Sequence, residues 1–181
     1  VFTNLEMLHP AVSTRAVDGQ WESNDTIGIS STGMMDNMKF TRSGTSNQFV
    51  SASTVWFKDK GVRSFSAYYP YNANPTNDLI MFQVPDSAIQ SKQKVNDFLF
   101  ASGQASYAYP SLTLNFTHKM ARVFIKIYPS PEYGFTTNDF SGSILTFCDY
   151  FDSGTFNIKT GQVECSEESV STGYSGDVKS S

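Results

Sequence analysis

The chain has 181 residues, 39% of them hydrophobic and 14% aromatic, which supplies a packed core for one domain of ordinary size and excludes wholesale disorder. Thirteen Lys and Arg against 17 Asp and Glu leave a formal charge of −4 with no basic stripe, so nothing favours nucleic acid as a partner. No uninterrupted apolar run approaches the roughly 20 residues of a membrane span, and the opening VFTNLEMLHP lacks the basic and apolar regions of a signal peptide.

Without an initiator Met, the chain is expected to begin inside a longer precursor. Its first segment, VFTNLEM, alternates as a strand would, with Val1, Leu5 and Met7 on one face and Phe2 and Leu8 breaking the pattern. Strand-like runs follow at TIGIS (26–30), SASTVWF (51–57), SFSAYYPY (64–71), LIMFQV (79–84) and DFLFAS (97–102). SILTF (143–147) and GTFNIKTGQVE (154–164) complete the series. Each is rich in β-branched or aromatic residues and bounded by Ser, Thr, Asn, Gly or Pro. Pro70 donates no ladder hydrogen bond, so its strand ends there or lies at an edge. The best helical candidate, SAIQSKQKV (87–95), offers only Ala88, Ile89 and Val95 as apolar positions, too few for an amphipathic face. The expected fold is therefore an all-β antiparallel β-sandwich with little helix.

Within SLTLNFTHKMARVFIKI (111–127) the apolar positions change parity. Leu112, Leu114 and Phe116 are even, whereas Ala121, Val123, Ile125 and Ile127 are odd. Side chains alternate between faces with a period of two, so one extra residue must be absorbed between the halves. A β-bulge within one long strand does this, and so does a tight turn at His118 and Lys119 between two strands. His118 and Lys119 are weak hairpin formers, which favours the bulge. A bulged strand that crosses from one sheet of a sandwich to the other needs such a flip. Phe116, Val123, Ile125 and Ile127 are expected in the core. The tail SEESVSTGYSGDVKSS (166–181), nearly free of apolar residues, reads as a linker or the start of a second, truncated domain.

No nucleophile elbow, zincin, phosphate-loop or dinucleotide motif occurs. His9 precedes Pro10, and His118, at the parity change, reads as a hydrogen-bonded structural residue rather than a general base. Asp149 and Asp152 lie at a spacing too common to mark a metal site. Cys148 and Cys165 have neither zinc nor redox spacing; two buried free thiols are favoured over a bridge between strands. Asn24 and Asn115 match the short glycosylation pattern, the latter inside an expected strand. Phe65, Tyr68, Tyr69 and Tyr71 could form an exposed platform for sugar rings, but aromatic residues at this density more often fill a sandwich core. These residues indicate no enzyme, no cofactor and no metal.

The order of STRA (13–16), WESNDTIGIS (21–30), FSAYYPYN (65–72), NDFLFA (96–101), LNFTHKMARVFIKI (114–127) and SGTFNIKTGQV (153–163) resembles the fimbrillin-like family of anaerobic Gram-negative bacteria. The resemblance implies a transthyretin-like sandwich, here the N-terminal domain over 16–165, matured from a lipoprotein precursor at the outer membrane. It also implies a structural or adhesive subunit of a cell-surface fimbrium. Its partners would be other pilin subunits joined by donor-strand exchange, with host or bacterial surface ligands as further candidates. The family's arginine-directed trimming would fall at Arg15–Ala16 and release residues 1–15 as a leader-like strand. The family's lipid-bearing Cys has no counterpart before Cys148, so it would have to precede Val1. A glycan-binding surface module using exposed aromatics is the alternative.

Overall fold

The computed structural model describes residues 21–44, 47–84, 95–120, 132, 134, 144–147, 151–166 and 174–177. Among these the fold is all-β and antiparallel, in the manner of a sandwich. The strands are β1 (Thr26–Ser31), β2 (Met35–Arg42), β3 (Phe49–Val50), β4 (Val62–Tyr69), β5 (Leu79–Gln83), β6 (Leu99–Ser106), β7 (Thr117–His118), β8 (Ile144–Phe147), β9 (Ser153–Asn157), β10 (Val163–Cys165) and β11 (Tyr174–Asp177). A six-stranded sheet runs β3-β2-β1-β4-β6-β7, a three-stranded sheet runs β10-β9-β5, and β8 pairs with β11.

Parity decides how the six-stranded sheet is buried. In β4 the odd residues Phe65, Ala67 and Tyr69 join one core cluster, while Tyr68 joins a second. The first cluster includes Ile27, Ile29, Leu99 and Ala101 from the sheet, beneath Trp21, Phe57, Leu112, Leu114 and Phe116. The second holds Tyr68 and Phe98 against Ile80, Phe82, Phe156 and Ile158 of the three-stranded sheet region. Phe98 and Phe156 stack at 4.5 Å and 13°. The middle of the six-stranded sheet thus carries a core on either face, which is why β1 is buried at nearly every position.

Turn chemistry sets the shorter connections. Asn77 and Asp78 both adopt positive φ (52° and 64°), and Thr76 and Leu79 exchange backbone hydrogen bonds of 2.9 Å around them. Two left-handed residues in a two-residue turn match the twist of a hairpin, and Asn and Asp tolerate that conformation best after glycine. Between β9 and β10, Asn157 Oδ1 accepts the amides of Lys159 and Thr160, and Gly161 turns back with φ 70°. A Cβ at Gly161 would stand 2.3 Å from Phe100 Cγ, so this turn rests directly on the six-stranded sheet.

Several expectations are refined. SASTVWF adds no strand to the sheets: the Ser53 amide donates to Ser51 Oγ at 3.2 Å, bending the backbone, although Val55 and Phe57 still reach the core. The aromatic platform is not exposed: Phe65, Tyr68 and Tyr69 are buried and Tyr71 is half-buried. β4 stops at Tyr69, before Pro70, as its missing amide dictates. Cys165 is a free thiol but exposed rather than buried, because it ends the edge strand β10, beyond Val163, which packs against the second core; Cys148 lies outside the described residues. The helical candidate 87–95 lies outside them except for Val95. Tyr174–Asp177 in the polar tail pairs with β8.

Leu112, Leu114 and Phe116 are buried while Thr113, Asn115 and Thr117 are exposed, as their alternation requires. This segment lies over the face of the six-stranded sheet, close enough that a Cβ at Gly103 would meet Leu112 Cδ1 and Thr113 O at 2.9 Å. Immediately afterwards Thr117 and His118 pair with Phe100 and Leu99 at that sheet's edge. The chain therefore passes from the covering layer into the sheet at the place where the apolar parity changes. Val123, Ile125 and Ile127 lie outside the described residues.

Candidate functional site

The strongest convergence of side chains lies where the described fold begins. Trp21 is 4% exposed and makes edge-to-face contacts with Phe49 (4.9 Å), Phe116 (5.3 Å) and Tyr69 (5.4 Å). These rings come from the sheet edge, the covering segment and the central strand. Such pairs add about 0.5–1.5 kcal/mol each beyond area burial. The Trp21 carbonyl accepts from the Arg42 guanidinium. Asp25, itself buried, accepts the Glu22 amide at 2.6 Å and the Tyr69 hydroxyl at 3.2 Å. Its carbonyl accepts the Arg42 amide at 2.8 Å. Burial and the adjoining Asp25 push the Tyr69 hydroxyl far above its ordinary pKa, so it stays a neutral donor. One tight turn thus fixes Trp21–Asp25 to β2 and β4 at once.

Arg15 and Ala16, the expected processing pair, lie outside the described residues, as do Val1, Leu5 and Met7. Only Val17 to Gln20 separate that pair from Trp21.

A second feature is an open cleft of about 840 Å³ on the other face of the six-stranded sheet. Ser30, Ser66 and Ser102, in register across β1, β4 and β6, lie along it with Lys58 and Lys159. Lys159 bonds to the Asp36 carboxylate, holding that acid below the usual carboxylate range, and lies 3.7 Å from Asp78. Lys58 donates to the Gly33 carbonyl at 3.0 Å. The described lining contains no histidine, so it brings together no serine–histidine pair for acyl transfer. His118 instead pairs with Leu99 next to β6, its Nδ1 2.7 Å from Asp97 Oδ1, hydrogen-bonded as expected. Asp152 is described and Asp149 is not; among the described residues no three His, Cys, Asp or Glu side chains converge as a metal site would require.

Sequence reasoning reached Trp21 only as part of a longer segment and missed Asp25 and Arg42. The one signal was Trp21 itself, a large apolar residue in a polar stretch just before a strand. Its partners at positions 49, 69 and 116 are set by the topology.

The sequence profile of the fimbrillin-like family matches residues 14–180. The chain is 28% identical over 179 residues to "Putative fimbrium subunit Fim1C" of Bacteroides uniformis, covering 92% of this chain and 57% of that protein. It therefore spans little more than half the length of that relative. A crystal structure of "a putative cell adhesion protein" from Bacteroides uniformis superposes with a TM-score of 0.73 at 26% identity, over 93% of this chain and 67% of that one. A second, from Bacteroides ovatus, shares the fold at a TM-score of 0.69 and 17% identity, over 97% and 72%.

Proposed function

Because the chain belongs to the fimbrillin-like family, we propose that it is a structural and adhesive subunit of a cell-surface fimbrium, joined to its neighbours by strand exchange after trimming at Arg15–Ala16. The relatives named for a fimbrium and for cell adhesion support the role. The observation that carries the finer reading is the first core cluster. Ile27, Ile29, Ala67 and Leu99 lie under a covering layer whose described residues include the alternating segment Leu112–Phe116, which belongs to none of the strands β1–β11. A layer built from extended segments is one in which a strand can be exchanged. The incoming strand supplies ladder hydrogen bonds and alternate apolar side chains to the same core.

In this scheme residues 1–15 are the segment that leaves, and 16–165 form the retained N-terminal sandwich. Residues 166–181, of which Tyr174–Asp177 pairs with β8, are in this scheme a linker or the opening of a second domain. A cell-surface place accompanies the role, and a lipoprotein precursor at the outer membrane is its finer form. Partners are other subunits, and surface ligands of host or bacterial cells are the candidates for adhesion. The role is structural rather than enzymatic, and no sugar platform is available at Tyr68 and Tyr69, which are buried.

The test is Arg15→Ala in cells that assemble the polymer. Polymers sheared from the surface should contain the wild-type chain and lack the variant, whose thermal midpoint should match wild type. Normal incorporation of the variant would overturn trimming as the trigger.

A further inference from the structure

The chain has four arginines, Arg15, Arg42, Arg63 and Arg122, the last outside the described residues. An arginine-directed protease that cuts after Arg15 would destroy the subunit if it went on to cut after Arg42, since that would sever β1 and the whole of β2 from the rest of the chain. We infer that the Trp21–Asp25–Arg42–Tyr69 cluster is a stop that makes such trimming self-limiting: the chain before Trp21 can leave, while the stop itself holds the next arginine closed. The inference takes its biological meaning from the proposed trimming, but the stop is a property of the fold and is tested separately.

Three features make it a stop. Trp21 plugs the first core cluster through three ring contacts that do not involve residues 1–20, so β1 keeps its anchor when the preceding chain is gone. Arg42 is held at both ends, its amide by the Asp25 carbonyl and its guanidinium by the Trp21 carbonyl. The latter group is what an arginine-specific protease must bind. Asp25 is fixed in turn by the Tyr69 hydroxyl, inside the central strand β4. Proteases need several residues extended and free of the fold. Exposing Arg42 therefore requires the stop to open and the two-residue strand β3, whose Phe49 pairs with Arg42, to detach. Neither event breaks the backbone ladder between β4 and β6. Arg63, by contrast, pairs with Ala105 near the end of the β4–β6 ladder, away from the stop, so its exposure reports opening that does not involve the stop.

The two arginines give the experiment an internal reference. The full chain is incubated with clostripain, an arginine-specific protease, and fragments are followed by mass spectrometry. Wild type should yield a product beginning at Ala16 that persists. Trp21→Ala should raise the rate of cutting after Arg42 relative to Arg63 by about tenfold or more. Tyr69→Phe, which keeps the ring and removes only the hydroxyl, should raise the same ratio several-fold. If Trp21→Ala merely unfolds the protein, both cuts accelerate together and Tyr69→Phe decides the matter. An unchanged ratio in Tyr69→Phe, or wild-type cutting after Arg42 as fast as after Arg15, overturns the stop. A raised ratio with no cutting after Arg15 leaves the stop standing and counts against the proposed trimming alone.

Discussion

Gly28→Ala probes the seam between the two sheets. Glycine in a strand interior weakens the strand unless another group needs the space, and here the ring of Tyr68 lies across it. A Cβ at position 28 would stand 2.2 Å from Tyr68 Cε1, 2.7 Å from Cζ and 2.8 Å from Asn37 Oδ1. The ring has little room to retreat, being 1% exposed and 6.1 Å from the Phe156 ring. Its hydroxyl is also committed, donating to Asn37 Oδ1 at 2.7 Å and accepting the Asn72 amide at 3.1 Å. Overpacking of this kind costs about 1–3 kcal/mol, and losing one of those hydrogen bonds adds about 0.5–1.5 kcal/mol. Reduced freedom of the unfolded chain returns about 0.4–1 kcal/mol. The net loss of about 0.5–4 kcal/mol lowers the thermal midpoint by roughly 1–16 °C for a chain of this length, at about 2–4 °C per kcal/mol. Differential scanning calorimetry of Gly28→Ala, Tyr68→Leu and the double variant measures it. Once the ring is gone the alanine faces only Asn37 Oδ1, itself released from the Tyr68 hydroxyl, so the double variant should melt close to Tyr68→Leu alone. An unmoved midpoint in Gly28→Ala, or strictly additive losses, refutes the packing argument.

Two further outcomes are expected. Phe116→Ala should cost about 3–5 kcal/mol in urea denaturation, whereas the neighbouring exposed Asn115→Ala should stay within about 0.5 kcal/mol; equal effects would mean that Leu112–Phe116 does not cover the core. Burial pushes Tyr68 up to about 12 from 10, so above pH 10 the unfolded state loses a proton that the folded state keeps. Stability conferred by the neutral phenol is thus complete below pH 10 and lost as pH rises from 10 to 12. Tyr68→Phe should flatten that alkaline slope in unfolding titrations, and an unchanged slope would show that Tyr68 ionises freely.

What the sequence made legible follows from which interactions are local. β1, β4, β5 and β6 could be read because alternation and flanking turn formers are properties of neighbouring residues. The β9–β10 pair was readable for the same reason: the Asn157–Gly161 turn needs only its own five residues. β2 escaped notice because Met35–Arg42 carries Asp36, Asn37, Lys39 and Arg42, and only Met35 and Phe40 along it are buried. SASTVWF misled in the opposite sense, since Val55 and Phe57 have the spacing of a strand but reach the core from a bent backbone. The parity change at 116–121 pointed to a crossing between layers but could not say which layer came first. The start of the fold was the least legible part. Trp21 meets Phe116 across 95 positions, and Lys159 meets Asp36 across 123, pairings that only the topology creates. Arg15–Ala16 came from resemblance alone, because a lone arginine in a polar stretch has no physical signature.

The central claim is that this chain joins a surface polymer after losing the segment that ends at Arg15. The direct measurement is the N-terminal residue of the chain in fimbriae sheared from the cells that make it, read by mass spectrometry of the purified polymer. The account predicts a chain that begins at Ala16 and is otherwise intact through Arg42. A polymerised chain that still carries Val1 to Arg15, or a purified polymer from which this chain is absent, would contradict it.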